Sequence, residues 1–232
     1  MNLSEFTVIA SGDANNNIPV KVSVRISRDG SPFVIDDATV DNTTKGEGFV
    51  SYHSDPELSA LGIQRLDDFL LSRMRSGPGA PLVVLELKAT QSAFAVGTEL
   101  TRFFNNGMLY KRDVIVSSFI FSEIAHFRKL MPDVPAALCI QGVPHDYARA
   151  VANLDADALF VSAEFVERTM VDEAKHYGAK VFVQGVNNPN HIARLKAMKV
   201  DGVVTDSPTA ISKLVNGLSS SAEIERTLRE CA

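Results

Sequence analysis

The chain has no tryptophan and only two cysteines. Cysteine this sparse excludes a disulfide-built scaffold. Cys139 sits in an apolar, strand-like run and Cys231 one residue from the C-terminus, the usage expected of a reduced, cytoplasmic chain. No apolar run approaches the ~20 residues that a membrane-crossing helix needs. The start, Met1-Asn-Leu-Ser-Glu-Phe6, lacks the basic segment of a secretory signal and carries an acidic residue early. An excess of basic charge is also missing: 23 Lys and Arg stand against 28 Asp and Glu, a net charge of -5. The chain as a whole is therefore no electrostatic match for nucleic acid or an anionic membrane. No linker or low-complexity tract divides it. What is present is ordinary for a globular protein, with 45% hydrophobic and 22% charged residues in a length of 232. That length suffices for one large core, so a single domain over 1–232 is expected.

Strand-like runs recur at 6–10, 20–27, 33–35, 82–87, 114–118, 136–141, 158–161, 181–186 and 202–205. From Leu82 onward they are nearly continuous in apolar residues, the mark of strands buried on both faces in a parallel sheet. Helical patterns separate them at 65–74, 122–130, 164–177 and 192–198, with Leu66, Phe69, Leu70 and Met74 on one face of the first. Strand and helix alternating this often argue for an α/β barrel or a doubly wound sheet. Earlier in the chain, Ser27-Arg-Asp29-Gly30-Ser-Pro32 reads as a hairpin turn, and 41–48 as a polar loop turning at Gly46 and Gly48. Ser219-Ser220-Ser221 reads as a break before a short terminal helix at 222–230. The closing unit runs from Lys180-Val-Phe-Val-Gln-Gly-Val-Asn187 to Val203-Val204-Thr205-Asp206-Ser207-Pro208. Each run stops at a small polar cluster, and in barrels such tips carry the chemistry.

Several segments read together resemble one family. They are Val34-Ile-Asp36-Asp37 with Thr39, Thr44, Gly46 and Gly48; Glu57-Leu-Ser-Ala-Leu61; and Ile63-Gln-Arg-Leu66-Asp-Asp-Phe-Leu70. Leu85-Glu86-Leu-Lys88, Val116-Ser-Ser118-Phe119, Val186-Asn187 and Val200-Asp201-Gly202-Val-Val-Thr205-Asp206-Ser-Pro208 follow in order. This order and spacing resemble the glycerophosphodiester phosphodiesterase family from about Phe33 to Pro208. The resemblance implies a TIM, or (β/α)8-like, barrel that hydrolyses glycerophosphodiesters to sn-glycerol 3-phosphate and an alcohol with a divalent metal. Two departures in architecture are expected. Only Gly12 to Pro19 separates the first two strands, so the first βα unit is abbreviated. Either those strands pair antiparallel or an extended loop replaces the helix. A small loop insertion, about 37–61, follows the second strand.

The resemblance also locates a site whose residues differ from the family pattern. Ser11 and Asp36 stand at the two positions where the family has its catalytic histidines. Lys21 and Ser23 stand at metal-ligand positions, and Glu86 is the one retained family ligand, with Lys88 beside it. Gln184-Gly185-Val186-Asn187 replaces the family's Trp-Thr-Val-Asn. Imidazole suits acid and base work near neutral pH, and serine and aspartate together do not replace it unaided. Lys21 reads either as an internal cation paired with Glu86 or as a solvated lysine on a displaced edge strand. Lys88 and Arg25 add positive charge for an anion. Ser118 reads as a ligand donor or a helix cap, and Asp206 as an N-cap for the helix after Pro208. His145 with Asp146 reads as a helix-start pair, or as a replacement catalytic group at the fifth strand's tip. His53 falls in the insertion, while His126, His176 and His191 fall on helical segments.

Two functions follow. The first is a family member without the two-histidine, metal-dependent hydrolysis, binding a phosphorylated or polyol ligand through Lys21, Asp36, Asp37, Glu86, Lys88, Ser118 and His145. The second is an active phosphoric diester hydrolase with a rebuilt carboxylate site, Asp36, Asp37 and Glu86, holding Mg²⁺ or Ca²⁺.

Overall fold

A computed structural model describes residues 6–12, 18–74 and 81–217. The first connection (13–17), the Ser219-to-Ser221 break, the terminal helix and Cys231 lie outside the described residues. In chain order the strands are β1 (Thr7–Ser11), β2 (Val20–Ile26), β3 (Pro32–Val34), β4 (Gln64–Arg65), β5 (Val83–Leu87), β6 (Val114–Ser118), β7 (Ala136–Ile140), β8 (Ala158–Ser162), β9 (Lys180–Gln184) and β10 (Gly202–Thr205). The helices are α1 (Asp55–Ala60), α2 (Leu66–Met74), α3 (Ser92–Asn105), α4 (Phe121–Leu130), α5 (Arg149–Asn153), α6 (Arg168–His176), α7 (His191–Ala197) and α8 (Pro208–Gly217). The strand order is β6-β5-β2-β3-β4 within 15–136 and β1-β10-β9-β8-β7 among the other described residues. This is the order of a closed (β/α)8 barrel in which β3 and β4 are an antiparallel addition beside β2. Two compact units make it up, one within 15–136 and one joining β1 to the described residues from Ala137 onward.

Within the first unit, β2, β5 and β6 are parallel, with Val22, Leu85 and Val116 in one row and Ser23, Glu86 and Ser117 in the next. Every residue of β5 and β6 is buried, as their apolar runs require. Three elements here are absent from the sequence reading: α1, which falls in the expected loop insertion, β4 and α3. The short β4 pairs with β3. The larger omission is α3, whose Ala93, Val96, Gly97, Leu100 and Phe103 make a buried stripe at helical spacing. Its N-terminus is not capped by its own residues. The backbone N–H groups of Gln91 and Ala93 donate to the carboxylate of Glu123 on α4, at 2.9 and 2.8 Å.

In the second unit β7 pairs with β8, β8 with β9, β9 with β10, and β10 with β1, each in parallel. Gly202 permits the last pairing, because a Cβ there would lie 2.2 Å from the Thr7 carbonyl oxygen. Helix α6 starts at Arg168, later than the expected 164. The Phe165 N–H donates to the Ser162 carbonyl, closing a turn ahead of the helix.

The insertion over 37–61 has its own small core of Phe33, Ile35, Val40, Val50, Leu58 and Ile63. Gly48 turns the loop at a φ of 97°, whereas Gly46 is needed for packing, since a Cβ would meet Leu61 at 2.7 Å. Asp55 holds this region to the hairpin. Its carboxylate accepts from Ser27 Oγ and Ser31 Oγ at 2.6 Å and from Arg65 Nη1 at 2.5 Å. Burial pushes the Asp55 carboxyl up, but those hydrogen bonds and the Arg65 charge outweigh it and hold it below the ordinary range. A depressed folded value means the unfolded chain takes the proton first. The stabilisation from Asp55 is therefore present above the unfolded value, about pH 4, and fades as pH falls through the folded one. Asp55→Asn should lower stability at neutral pH, with the gap to the parent narrower at about pH 3, below the unfolded value. Urea denaturation at the two pH values measures it; an unchanged gap would show that the carboxylate's charge is not what anchors the insertion.

Candidate functional site

The candidate site grows from alternation along two adjacent strands. Lys21, Ser23 and Arg25 share one face of β2, and Glu86 and Lys88 share the matching face of β5 and its extension. The Lys88 N–H continues the ladder by donating to the Val24 carbonyl at 3.0 Å. The hairpin brings in the third segment, with the Ile35 N–H on the Ser23 carbonyl at 3.0 Å and Asp36 next in the chain.

Lys21 and Glu86 form a buried ion pair through Glu86 Oε2, with 8% and 4% of their side chains exposed. Ser23 Oγ lies 3.4 Å from the same oxygen and donates to Asp36 Oδ1 at 2.5 Å. Lys88 Nζ donates to Asp36 Oδ1, also at 2.5 Å. Arg25 fastens the backbone, Nε to the Asp36 carbonyl at 3.0 Å and Nη1 to the Lys88 carbonyl at 2.9 Å. Partial burial pushes the Asp36 carboxyl up. The Lys88 and Ser23 hydrogen bonds and the charges of Lys88 and Lys21 more than offset this, leaving it below the ordinary range. Burial depresses the Arg25 guanidinium against the opposing pull of Asp36, Asp37 and Glu86. On the row below, Glu86 Oε1 and Ser117 Oγ are buried without a hydrogen-bond partner among the described residues.

The structure thus brings Lys21, Arg25, Asp36, Glu86 and Lys88 together and adds Ser23 as a donor. The signal for Ser23 was its place two residues from Lys21 on the same face. Asp37 is half-buried and acts only through its field on Arg25. Ser118 is not available to a ligand. It is fully buried, donating to the Leu87 carbonyl at 2.7 Å and accepting from the Ile120 N–H at 2.9 Å, so it ties β6 to β5 and shapes the turn into α4. His145 is exposed in a turn closed by the Tyr147 N–H on the Pro144 carbonyl, and α5 begins only at Arg149. His53 points back onto its own loop, with Nδ1 2.9 Å from the Phe49 carbonyl. Ser11 is exposed at the end of β1.

Two further expectations change. Asp206 does not cap α8: its carboxylate accepts from Asn187 Nδ2 at 2.6 Å, and Ser207 occupies the position before Pro208. The Asn187 side-chain oxygen Oδ1 in turn accepts from Thr205 Oγ1 and the Asp206 N–H, at 3.0 and 2.9 Å, so this tip is a closed polar network. The three-carboxylate cation site does not form either. Among the described residues no three His, Cys, Asp or Glu side chains converge to hold a metal. Asp36 is engaged by Lys88 and Ser23, and Glu86 by Lys21.

Parallel strands joined by helices, with charged side chains converging at the ends of neighbouring strands, define a barrel of the ligand-binding or enzymatic kind. The chain matches the Glycerophosphoryl diester phosphodiesterase family over residues 22–210 and belongs to it. The Bacillus subtilis (strain 168) protein YhdW is 28% identical over 210 residues, covering 84% of each chain. The glycerophosphodiester phosphodiesterase of Caldanaerobacter subterraneus is 27% identical over 208 residues, covering 84% of this chain and 85% of that one. Among solved structures, an Oleispira antarctica phosphodiesterase in complex with the product sn-glycerol-3-phosphate superposes with a TM-score of 0.78 at 20% identity, over 90% of this chain and 96% of that one. At that identity the superposition speaks for the fold.

Removing one partner of a buried ion pair leaves the other charge without its counterpart. Glu86→Ala should therefore cost about 3 kcal/mol of stability, while Lys21→Met combined with Glu86→Leu should recover most of it. A double-mutant cycle by chemical denaturation measures this. Equal losses in the single and double variants would mean that packing, not charge, sets the cost.

Proposed function

We propose that this family member binds a phosphorylated or polyol ligand at the cluster of Lys21, Ser23, Arg25, Asp36, Glu86 and Lys88, in one domain, without two-histidine, metal-dependent hydrolysis. The observation that carries the reading is the Lys21 ammonium on Glu86 Oε2. It puts fixed positive charge against the one retained family ligand. A dication ~4 Å from that ammonium would meet repulsion on the order of 8 kcal/mol at an effective dielectric of ~20. The described donor set, the carboxylates of Glu86 and Asp36 each already bound by an ammonium group and one serine hydroxyl, does not fit a divalent cation.

The acid and base sides of a hydrolysis are likewise unsupported. A serine hydroxyl at Ser11 is no base near neutral pH, and Asp36, held below the ordinary carboxylate range, has no proton to give a leaving alkoxide. Positive charge from Lys21, Arg25 and Lys88 suits phosphate oxygens, and the Oleispira protein's bound glycerol phosphate supports a ligand of that class. A second reading, an active phosphoric diester hydrolase, draws on Glu86 Oε1, a buried carboxylate oxygen without a described partner, and on the phosphodiesterase name of the Caldanaerobacter relative.

The deciding experiment assays bis-(p-nitrophenyl) phosphate and glycerophosphocholine with Mg²⁺, Ca²⁺ and Mn²⁺, beside thermal melts with sn-glycerol 3-phosphate and calorimetric titration of the metals. The expected result is no turnover, no micromolar metal binding, and a melting temperature raised by several degrees. A ligand at about a hundredfold its Kd contributes ~2.7 kcal/mol. Metal-dependent turnover that disappears in Glu86→Ala would establish the hydrolase instead.

A further inference from the structure

We infer that Asp36 is an internal anion that occupies the ligand's own position, so that a phosphate must displace its carboxylate from Lys88 and Ser23 in order to bind. The inference rests on reading this cluster as a ligand site and adds a gate to it. A single oxygen, Asp36 Oδ1, accepts from both Lys88 Nζ and Ser23 Oγ at 2.5 Å. Those are the two donors of the cluster whose hydrogens would otherwise point to a ligand oxygen. Lys21, the remaining cation with a short side-chain contact, is committed to Glu86, and Arg25 to two backbone carbonyls.

The two ends of Asp36 are held very differently. Its backbone is fixed, the carbonyl by Arg25 and the preceding residue by the Ser23 carbonyl. Its side chain is 73% exposed, whereas that of Lys88 is 24% exposed. A carboxylate in that setting is free to leave by rotation about Cα–Cβ into solvent, while the ammonium it leaves stays in place. The structure therefore pairs an exposed anion with a more buried cation and a buried hydroxyl, the arrangement of a self-filled anion site. An exposed ion pair of this kind is worth little on its own, so a ligand with several phosphate oxygens outcompetes it. A neutral polyol lacks the charge to do so, which makes Asp36 a selector for anionic ligands strong enough to open the site.

Calorimetric titration of inorganic phosphate, sn-glycerol 3-phosphate and glycerol into the parent chain, Asp36→Ala, Asp36→Asn and Asp37→Ala tests this. Asp37→Ala removes the same charge from the neighbouring position without freeing Lys88 or Ser23. The expected result is phosphate and glycerol phosphate binding tighter by about fivefold or more in Asp36→Ala, with Asp36→Asn between it and the parent. Asp37→Ala should change affinity by no more than about twofold. Adding Lys88→Met to Asp36→Ala should remove the gain. Equal gains in Asp36→Ala and Asp37→Ala would reduce the effect to net charge and overturn the gate. So would weaker anion binding in Asp36→Ala, which would make Asp36 a ligand contact. In both cases the parent still binds and the ligand-site reading stands. Absence of binding by every variant to all three probes would overturn both.

Discussion

Opposite charges buried side by side are expensive to desolvate and more expensive to separate, and the Lys21–Glu86 pair places that constraint between β2 and β5. Its first consequence is register. A slip of one residue between parallel strands would send Lys21 to the opposite face from Glu86, leaving both charges without their counterpart in an apolar layer. With the register set, Ser23 falls beside Glu86, Arg25 reaches the Lys88 carbonyl, and Lys88 meets Asp36. The polar face of this unit is thus organised outward from one buried contact toward progressively more exposed ones.

Charge in this cluster is balanced locally. Lys21, Arg25 and Lys88 stand with Asp36, Asp37 and Glu86, and each cation has a short contact to a carboxylate or to backbone carbonyl groups. A family site that relies on a divalent cation brings that charge in from solution. Here Lys21 and Lys88 already pair with one oxygen each of Glu86 and Asp36, while Glu86 Oε1 has no hydrogen-bond partner among the described residues. Such a site is stable when empty, unlike a ring of carboxylates, which repel one another until a cation enters.

Legibility in the sequence followed how local the deciding interaction is. The parallel strands were visible because burial on both faces leaves a continuous apolar run, as in β5 and β6. The Lys21–Glu86 pairing could be anticipated because alternation and register are periodic properties. Helix α3 escaped although its stripe of Ala93, Val96, Leu100 and Phe103 is regular. Gly97, Thr98 and Thr101 weaken its intrinsic preference, and its N-terminal capping group is Glu123, on another helix. Ser118 was left open between two roles and Asp206 was misread for a related reason. Both are small polar residues at strand ends, where a cap, a ligand donor and a cross-strand tie look alike. The Leu87 carbonyl and the Asn187 amide, remote in sequence, decide between those roles.

Buried charge pairs and strand packing hold residues in place whatever the chemistry of a site. Glu86 and Lys88 each have a charged partner in the cluster: Lys21 for Glu86, and Asp36 for Lys88. A glutamate that anchors a buried lysine is kept by stability, because its loss strands a charge. A lysine that holds Asp36 is kept by the geometry of the hairpin end. Glycines and apolar positions of the closing Val200-Asp201-Gly202 segment are kept by strand packing, as the 2.2 Å approach at Gly202 shows. Family membership and fold therefore follow from residues under structural constraint, whereas a function belongs to the particular side chains that meet a ligand.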